Sequence, residues 1–296
     1  MEKIAVLLAV YNGREWIDEQ LQSILEQQNV ELDIYISVDL SSDGSYDYLV
    51  EKYSRISNIF ILPYGKKFGS AGKNFYRLVS DVEIDKYSYV SFSDQDDIWC
   101  KLKLSHAVDI LKKPNIDAYS SNVIAFWDDG KKCLIDKAQP QVEYDYLFEA
   151  AGPGCTYVFK NKLAVDFKSF LLENTVAPSV ELHDWLLYAF ARVNGFSWYI
   201  DNNAYMQYRQ HSNNQVGANT SLKAGLKRVK LVREGWYRNE ILKLCKLFII
   251  DNEDIYLKLK YNNFSNRFNL LLRIIQLRRR NRDRIVLGML LIFNLL

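Results

Sequence analysis

Three carboxylates stand together in one short stretch, Asp94-Gln95-Asp96-Asp97, directly after a run of apolar and small residues. Adjacent carboxylates repel one another unless a cation lies between them. Mg²⁺ and Mn²⁺ prefer oxygen ligands, and Mg²⁺ commonly takes one or two protein carboxylates together with substrate phosphates. An Asp-x-Asp pair at a strand end therefore suits a metal-bound diphosphate. The residues by themselves leave open an acidic turn in solvent or a set of helix caps.

The elements that would position these carboxylates alternate between strand and helix over the first hundred residues. Continuous or alternating apolar runs predict four strands. They are Ile4–Val10, Leu32–Val38, Ile59–Leu62 and Tyr87–Phe92. Segments with helical spacing lie between them, which implies βαβ units and an α/β fold with a mostly parallel sheet. Further along, residues 101–112 and 182–193 predict helices, residues 118–126 and 132–135 predict a hairpin, and 197–200 predicts a short strand.

Polar residues follow each of the four strands, where ligands bind in open α/β sheets. Tyr11 and Asn12 follow the first strand, Asp39 the second, and Asp94 the fourth, while Lys73 lies in the polar segment after the third. A nucleoside diphosphate would use an aromatic ring for its base, a carboxylate for base or ribose, and a lysine for its phosphates. The sequence has neither a G-x-G-x-x-G after the first strand nor a P-loop motif, which disfavours those two nucleotide-binding folds.

Five motifs occur in order within residues 3–217. They are LLAVYNGREWIDEQLQSILEQQ, SVDLSSDGS, FSDQDDIW, HDWLLYAFA and YRQHSNNQVG. The ordered set resembles the family-2 glycosyltransferases of GT-A fold, and more narrowly the rhamnosyltransferase-like branch that builds bacterial surface polysaccharides. The resemblance implies a GT-A type, Rossmann-like nucleotide-diphospho-sugar transferase fold in residues 1–220. Residues 1–100 would form its nucleotide-binding half and residues 101–220 its acceptor-binding half, followed by a C-terminal helical appendage.

The resemblance also implies roles on the donor side. Tyr11 would pack on the donor base, Asp39 would recognise that base, and Asp94 would face the ribose. Val38 and Leu40 stand where the family's base-binding loop has an Asp and a Gly, so this loop departs from the family pattern. The donor-binding residues implied are Ala9, Tyr11, Asn12, Asp39, Lys73, Asp94 and Gln95.

The same resemblance implies a metal site and an acceptor side. Asp96 would face a Mn²⁺ or Mg²⁺ ion, and His211 would add a contact to metal or diphosphate. Asp184 would be the catalytic base, flanked by His183 and Trp185 on the acceptor side. By sequence alone, Asp184 equally suits an acid at a helix N-terminus, and a lone histidine such as His211 suits a structural role.

The implied activity is an inverting, metal-dependent transfer of L-rhamnose from dTDP-β-L-rhamnose to a hydroxyl of a glycan or lipid-linked acceptor. A UDP-sugar donor, or a non-catalytic nucleotide-sugar or glycan-binding protein, remains an alternative. The sequence lacks the glycine-rich basic signature of a sugar nucleotidyltransferase near its N-terminus. It also lacks the Gln-x-x-Arg-Trp motif of processive synthases, so both classes are disfavoured.

Charge is divided unevenly along the chain. Residues 1–220 carry 21 Lys and Arg against 30 Asp and Glu, whereas residues 221–296 carry 17 against 6. The basic region interleaves its charges with apolar residues, which predicts basic amphipathic helices that meet an anionic surface. We expect a cytoplasmic protein docked peripherally on the inner face of the plasma membrane, and no nucleic-acid partner, because no recognition motif is present. Packing of these helices on the catalytic domain and homo-oligomerisation through them are the alternatives.

The hydropathy pattern predicts no membrane-spanning segment. The apolar run at 285–296 has 12 residues, whereas a spanning helix needs about 20. The first residues predict no signal peptide. The four cysteines are widely spaced and form no CxxC pair, which is typical of reduced thiols.

Overall fold

The computed structural model describes residues 2–211 and 230–296, with the backbone alone at 249–252. The chain divides into two compact units, Met1–Ala138 with Ala151–His211, and Gln139–Ala150 with the described part of Ser212–Leu296. The domain boundary expected at residue 220 lies outside the described residues.

A mixed sheet forms the centre of the first unit. Within the described ranges its strands are β1 Lys3–Val10, β2 Glu31–Val38, β3 Ile59–Ile61, β4 Tyr89–Ser93, β5 Ile98–Trp99, β6 Ala118–Phe126, β7 Lys132–Ile135, β8 Val158–Lys160 and β9 Trp198–Arg209. Their order is β3-β2-β1-β4-β8-β6-β9-β5, with β7 paired to β6. The half β3-β2-β1-β4 is parallel, as the βαβ alternation predicts, while β8 pairs antiparallel with both β4 and β6. The α/β fold is confirmed.

Six helices of the first unit cover this sheet. They are α1 Ile17–Leu25, α2 Ser45–Tyr53, α3 Ala71–Asp81, α4 Lys103–Leu111, α5 Asn161–Glu173 and α6 His183–Val193. Every residue of β1 from Ile4 to Val10 is buried, because helices cover both faces of a parallel sheet. In α1, the fully buried residues Ile17, Leu21 and Ile24 recur at helical spacing. They form the face of this helix that packs against the core.

The structure extends the sequence interpretation in two ways. Strands β5 and β8 and helix α5 have no counterpart among the predicted elements. The two strands have only two and three residues, which is too short to show a periodicity. Strand β9 continues from Trp198 to Arg209, well past the predicted end at residue 200. Its polar residue Asp201 is buried and accepts a hydrogen bond from the Tyr119 hydroxyl at 3.1 Å, and it lies 2.7 Å from His106 Nε2. Because these partners satisfy its carboxylate, Asp201 is tolerated as a buried residue within the strand.

Helices form the second unit, as the basic amphipathic pattern predicts. They are α7 Trp236–Leu247, α8 Ile249–Tyr261, α9 Phe264–Leu272, α10 Ile274–Leu277 and α11 Asn281–Ile292. The segment Gln139–Ala150 belongs to this unit: Tyr144 N–H donates to Gln276 O at 2.9 Å, and the Tyr237 hydroxyl donates to Phe148 O at 2.7 Å. Throughout the described ranges, every helix is too short or too polar to cross a bilayer.

Helix α3 approaches the chain before α6 at a glycine. A Cβ atom added at Gly72 would lie 2.1 Å from the carbonyl oxygen of Glu181. We expect Gly72→Ala to lower the free energy of unfolding by about 1–3 kcal/mol, because either the helix or this backbone must shift. Gly288→Ala in α11 is the control, since its nearest neighbours lie at an ordinary 3.4 Å. Thermal unfolding of both variants checks this, and equal effects would contradict it.

Candidate active site

The loops that follow β1, β2 and β4 are joined to one another by side chains. Asn12 N–H donates to Ser41 Oγ at 3.0 Å, and Ser42 N–H donates to Asn12 Oδ1 at 2.9 Å. Tyr11 N–H donates to Gln95 Oε1 at 2.7 Å, which links the first loop to the carboxylate loop. The structure therefore brings together the polar residues that the sequence placed at this edge of the sheet.

Asp39 organises the loop between β3 and α3. Its carboxylate accepts hydrogen bonds from the backbone N–H groups of Leu40 at 2.7 Å, Phe68 at 2.7 Å and Gly69 at 2.8 Å. The side chain is 4% exposed, so these bonds satisfy a buried charge. Asp39 thus shapes the segment that leads to Lys73, which is exposed in the first turn of α3.

Gln95 holds Tyr11 at both of its backbone groups. Besides accepting from Tyr11 N–H, Gln95 donates from Nε2 to Tyr11 O at 2.9 Å. The ring of Tyr11 is 57% exposed and available for stacking. Gly13 makes room for this arrangement, because a Cβ atom there would lie 2.3 Å from Gln95 Oε1. Ala9, by contrast, is buried within β1 and pairs with β2.

Asp96 and His211 lie side by side. His211 Nε2 is 2.6 Å from Asp96 Oδ2, and the imidazole stacks on Trp16 with ring centroids 4.1 Å apart. Arg209, at the end of β9, donates from Nε to Asp96 O at 2.9 Å and forms an ion pair with Glu19. These contacts bring together the two side chains that the sequence predicted as metal ligands.

The neighbouring carboxylates, Asp94 and Asp97, are in different situations. Burial, with the negative charges of Asp96 and Asp184, raises the pKa of Asp94 to about 7. Asp97 is 1% exposed; its N–H donates to Gln20 Oε1 at 2.9 Å. Its Oδ1 accepts from the N–H at the end of β9 at 3.1 Å. Asp97 is thus built into the fold, and burial with the charges of Asp96 and Asp94 raises its pKa as well, whereas Asp94 also faces Asp184.

The donor atoms at this site fit a hard divalent cation. Asp94, Asp97 and Cys155 have potential ligand atoms within 4.8 Å of one another. Burial, together with the charges of Asp97 and Asp94, raises the pKa of the Cys155 thiol well above its usual value, and a sulfur ligand is softer than Mg²⁺ or Mn²⁺ prefers. The available donors are therefore carboxylate oxygens and the imidazole of His211. A cation among them would relieve the mutual repulsion that raises the pKa of Asp94.

Asp184 lies in the first turn of α6 and accepts a hydrogen bond from Trp185 N–H at 2.8 Å. Burial raises its pKa to about 6, while the Trp185 and Gly154 N–H groups and the charge of Lys137 act in the opposite direction. The charge of Asp184 in turn raises the pKa of Asp94, so the two carboxylates are close enough to interact. A carboxylate with a pKa near neutrality is suited to accept a proton.

The two residues that flank Asp184 pack into the core. His183 stacks on Phe75 with ring centroids 3.9 Å apart and meets the edge of Phe92 at 5.2 Å. Burial lowers the pKa of His183 to about 3, which keeps the imidazole neutral. Trp185 is 3% exposed. In this structure both predicted acceptor-side residues anchor the first turn of α6 in the interior of the first unit.

Three residues near the site were not assigned from the sequence: Trp16, Lys137 and Cys155. Trp16 belongs to the first quoted motif, and its place after Gly13 was a usable signal. Lys137 follows β7 and Cys155 follows a glycine-rich turn, and no local pattern distinguishes them. Their roles depend on contacts between segments far apart in the sequence.

Gln95 offers a test of how the loop carrying Tyr11 is held. We expect Gln95→Ala to weaken binding of a nucleoside diphosphate about tenfold, because two net hydrogen bonds of about 0.5–1.5 kcal/mol each no longer order Tyr11. Gln22→Ala on the exposed face of α1 removes the same side chain elsewhere and should leave binding unchanged. Calorimetric titration with dTDP in the presence of Mn²⁺ measures both variants. Equal affinities would contradict the positioning role.

Comparison with known proteins identifies the family of this chain. A family model described as glycosyl transferase family 2 matches residues 5–155. The dTDP-rhamnosyl transferase RfbG of Shigella flexneri is 49% identical over 290 residues, which cover 97% of this chain and 100% of RfbG. The UDP-Glc:alpha-D-GlcNAc-diphosphoundecaprenol beta-1,3-glucosyltransferase WfaP of Escherichia coli is 24% identical over 74% of this chain and 81% of its own length.

Solved structures share the fold at low sequence identity. S. aureus TarS 1–349 in complex with UDP-GlcNAc has a TM-score of 0.56 at 18% identity, over 90% of this chain and 75% of the TarS 1–349 chain. The mannosyltransferase PcManGT of Pyrobaculum calidifontis, in complex with GDP-Man and Mn²⁺, has a TM-score of 0.52 at 13% identity, over 84% and 74% of the two chains. With the family match and the 49% identical relative, the conclusion is direct: the chain belongs to glycosyltransferase family 2.

Proposed function

We propose that this glycosyltransferase moves L-rhamnose from dTDP-β-L-rhamnose to a hydroxyl of a glycan or lipid-linked acceptor in the synthesis of a bacterial surface polysaccharide. The observation that carries the proposal is the 49% identity to a dTDP-rhamnosyl transferase over nearly the full length of both chains. A UDP-sugar donor is the second candidate, favoured by the name of the 24% identical glucosyltransferase.

The donor would lie along the edge formed by the loops after β1, β2 and β4. The exposed ring of Tyr11 packs on the base, and Gln95 holds the backbone of Tyr11 in place. Asp39 keeps the neighbouring loop closed and lines the base pocket, and Lys73 meets the diphosphate. A divalent cation held by Asp96 and His211 would supply further positive charge to the leaving diphosphate.

Asp184 acts as the general base. It accepts the proton of the acceptor hydroxyl while the hydroxyl oxygen attacks the anomeric carbon and the nucleoside diphosphate departs from the opposite face. This single displacement inverts the configuration, so a β-linked donor gives an α-rhamnoside. The raised pKa of Asp184 supports this role, because a more basic carboxylate is a better proton acceptor.

The acceptor is proposed to be presented at the inner face of the plasma membrane, with the protein docked there from the cytoplasm. The net positive charge of residues 221–296 and the exposed apolar side chains of α9–α11 support this location. Homo-oligomerisation through the same helices would compete with this docking.

The donor assignment is tested with purified protein, Mn²⁺, a lipid-linked glycan acceptor and, in turn, dTDP-β-L-rhamnose or UDP-glucose. Of the two donors, we expect only dTDP-β-L-rhamnose to support turnover. We expect Asp184→Asn to reduce the turnover rate about 10²–10⁴-fold and to leave the dTDP affinity unchanged, because only the general base is lost. Asp166→Asn on the exposed side of α5 removes the same charge elsewhere and should have no effect. Turnover with UDP-glucose alone would replace the rhamnose assignment, and near-normal turnover by Asp184→Asn would remove that residue from the base role.

The pH dependence of the transfer rate should follow the ionisation of Asp184. Because Asp184 must be ionised to accept a proton and has a pKa of about 6, the rate should fall as the pH drops below about 6. Lys137→Met removes a positive charge that lowers this pKa, so the acid limb should move to higher pH. Lys131→Met in the β6–β7 turn is the matched control. Rate profiles with saturating Mn²⁺ measure the shift, and superimposable profiles for all three proteins would contradict the assignment.

A further inference from the structure

An open cavity of about 490 Å³ lies within the second unit, at the start of α11. Four arginines line it together with residues of the segment that precedes Ala150, and none of the described residues in its lining is a carboxylate. The lining residues that matter here are Arg279, Arg280, Arg282, Arg284, Gln139 and Pro140. Such a concentration of guanidinium groups is the usual means of recognising phosphate.

Two of these arginines are paired with nearby acids. Arg279 is buried, with Nη1 3.3 Å from Asp145 Oδ2 and Nη2 3.4 Å from Glu149 Oε2. Arg282 is exposed, and its Nε lies 3.2 Å from Asp283 Oδ1. These acids stabilise the cavity wall and offset part of its positive charge.

Arg284 differs, because its partners are neutral. It donates from Nε to Arg278 O at 2.7 Å, from Nη1 to Asn281 Oδ1 at 2.9 Å, and from Nη2 to Ile275 O at 3.4 Å. Among the described residues it forms no ion pair. Its guanidinium is therefore held in one orientation while its charge stays uncompensated. A fixed, charged donor group facing a cavity is preorganised for an anion.

Exposed apolar side chains continue from the cavity along the same helix. Ile275, whose carbonyl oxygen accepts from Arg284, is 62% exposed. On α11, Ile285 is 65%, Met289 45% and Ile292 62% exposed, and they follow Arg282 at intervals of three or four residues. Residues at this spacing share one face of a helix, so Arg282 at the cavity and the apolar stripe lie on the same face of α11. Arg284 reaches the cavity from the opposite side of the helix, where Leu287 and Leu291 are buried. The exposed face of α11 therefore begins with a cation at the cavity and continues with exposed apolar side chains.

We propose that this cavity binds the phosphate head group of an anionic membrane lipid, with the apolar stripe of α11 entering the adjacent acyl layer. The positive charge of the cavity favours an anionic head group. The apolar stripe of α11 offers a surface to the acyl chains of the same lipid. The proposal deepens the proposed function, since it rests on the enzyme acting at a membrane surface. It assigns the contact to one cavity rather than to the general basic charge of the region.

Binding to vesicles tests this without donor or turnover. The double variant Arg282→Gln/Arg284→Gln is compared with Lys246→Gln/Lys260→Gln, which removes the same charge from exposed positions of the same unit. At about 1 kcal/mol for each cation at the lipid surface, the cavity variant should bind phosphatidylglycerol vesicles about 30-fold more weakly. The control should lose less than about threefold, because distant charges are screened. Ile285→Asn should also weaken vesicle binding while leaving binding of inorganic pyrophosphate unchanged.

The outcomes separate the possible explanations. Equal losses in the two double variants would overturn the proposal in favour of general electrostatic attraction. Loss of pyrophosphate binding with vesicle binding retained would overturn it in favour of a free phosphate ligand. Affinity for dTDP, which these variants should keep, verifies that the first unit is folded. It also separates failure of this proposal from failure of the donor assignment.

Discussion

The repulsion among the three carboxylates at the end of β4 is the constraint that organises the first unit. The fold gives each of them a different environment. Asp97 is taken into the interior, where Arg209 and Gln20 meet its carboxylate and its N–H. Asp96 is turned toward His211, and Asp94 is left facing other acids. One turn thus contains a fully buried structural acid, an acid paired with an imidazole and an acid that faces the charge of Asp184.

The loops around these carboxylates are shaped by side chains that bond to the backbone of other loops. Gln95 bonds to Tyr11, Asp39 to the chain before α3, and Asn12 to the loop after β2. Bonds of this kind order an irregular segment before any ligand arrives. A ligand then meets a surface whose conformational entropy has already been lost, which favours its binding.

Much of the fold was predictable from the pattern of apolar residues along the chain. The runs that became β1, β2 and β4 are buried on both faces and read as continuous apolar segments. Because these strands were predicted to be parallel, the sequence alone placed Tyr11, Asp39 and Asp94 at one edge of the sheet. Strand β8 was too short to show a pattern, and β9 was hidden by polar residues whose partners lie on other elements.

The candidate site was predictable as a set of residues but not as a set of contacts. Asp96 and His211, 115 residues apart, came from motif resemblance and lie together. Nothing in the local sequence indicated that Gln95 would bond to the backbone of Tyr11, or that His183 would be stacked on Phe75. Such contacts are decided by tertiary packing, which a single sequence does not display.

The close approach of α3 to the carbonyl of Glu181 has a consequence for exchange between related enzymes. Helix α3 carries Lys73 on the donor side, and Glu181 leads into the helix that carries Asp184. The spacing of these two segments depends on the missing side chain at Gly72. A chimera that takes only one of these segments from a related enzyme disturbs the steric match between the position of Gly72 and the backbone at Glu181. In a chimera the two segments should therefore be exchanged together or both be kept.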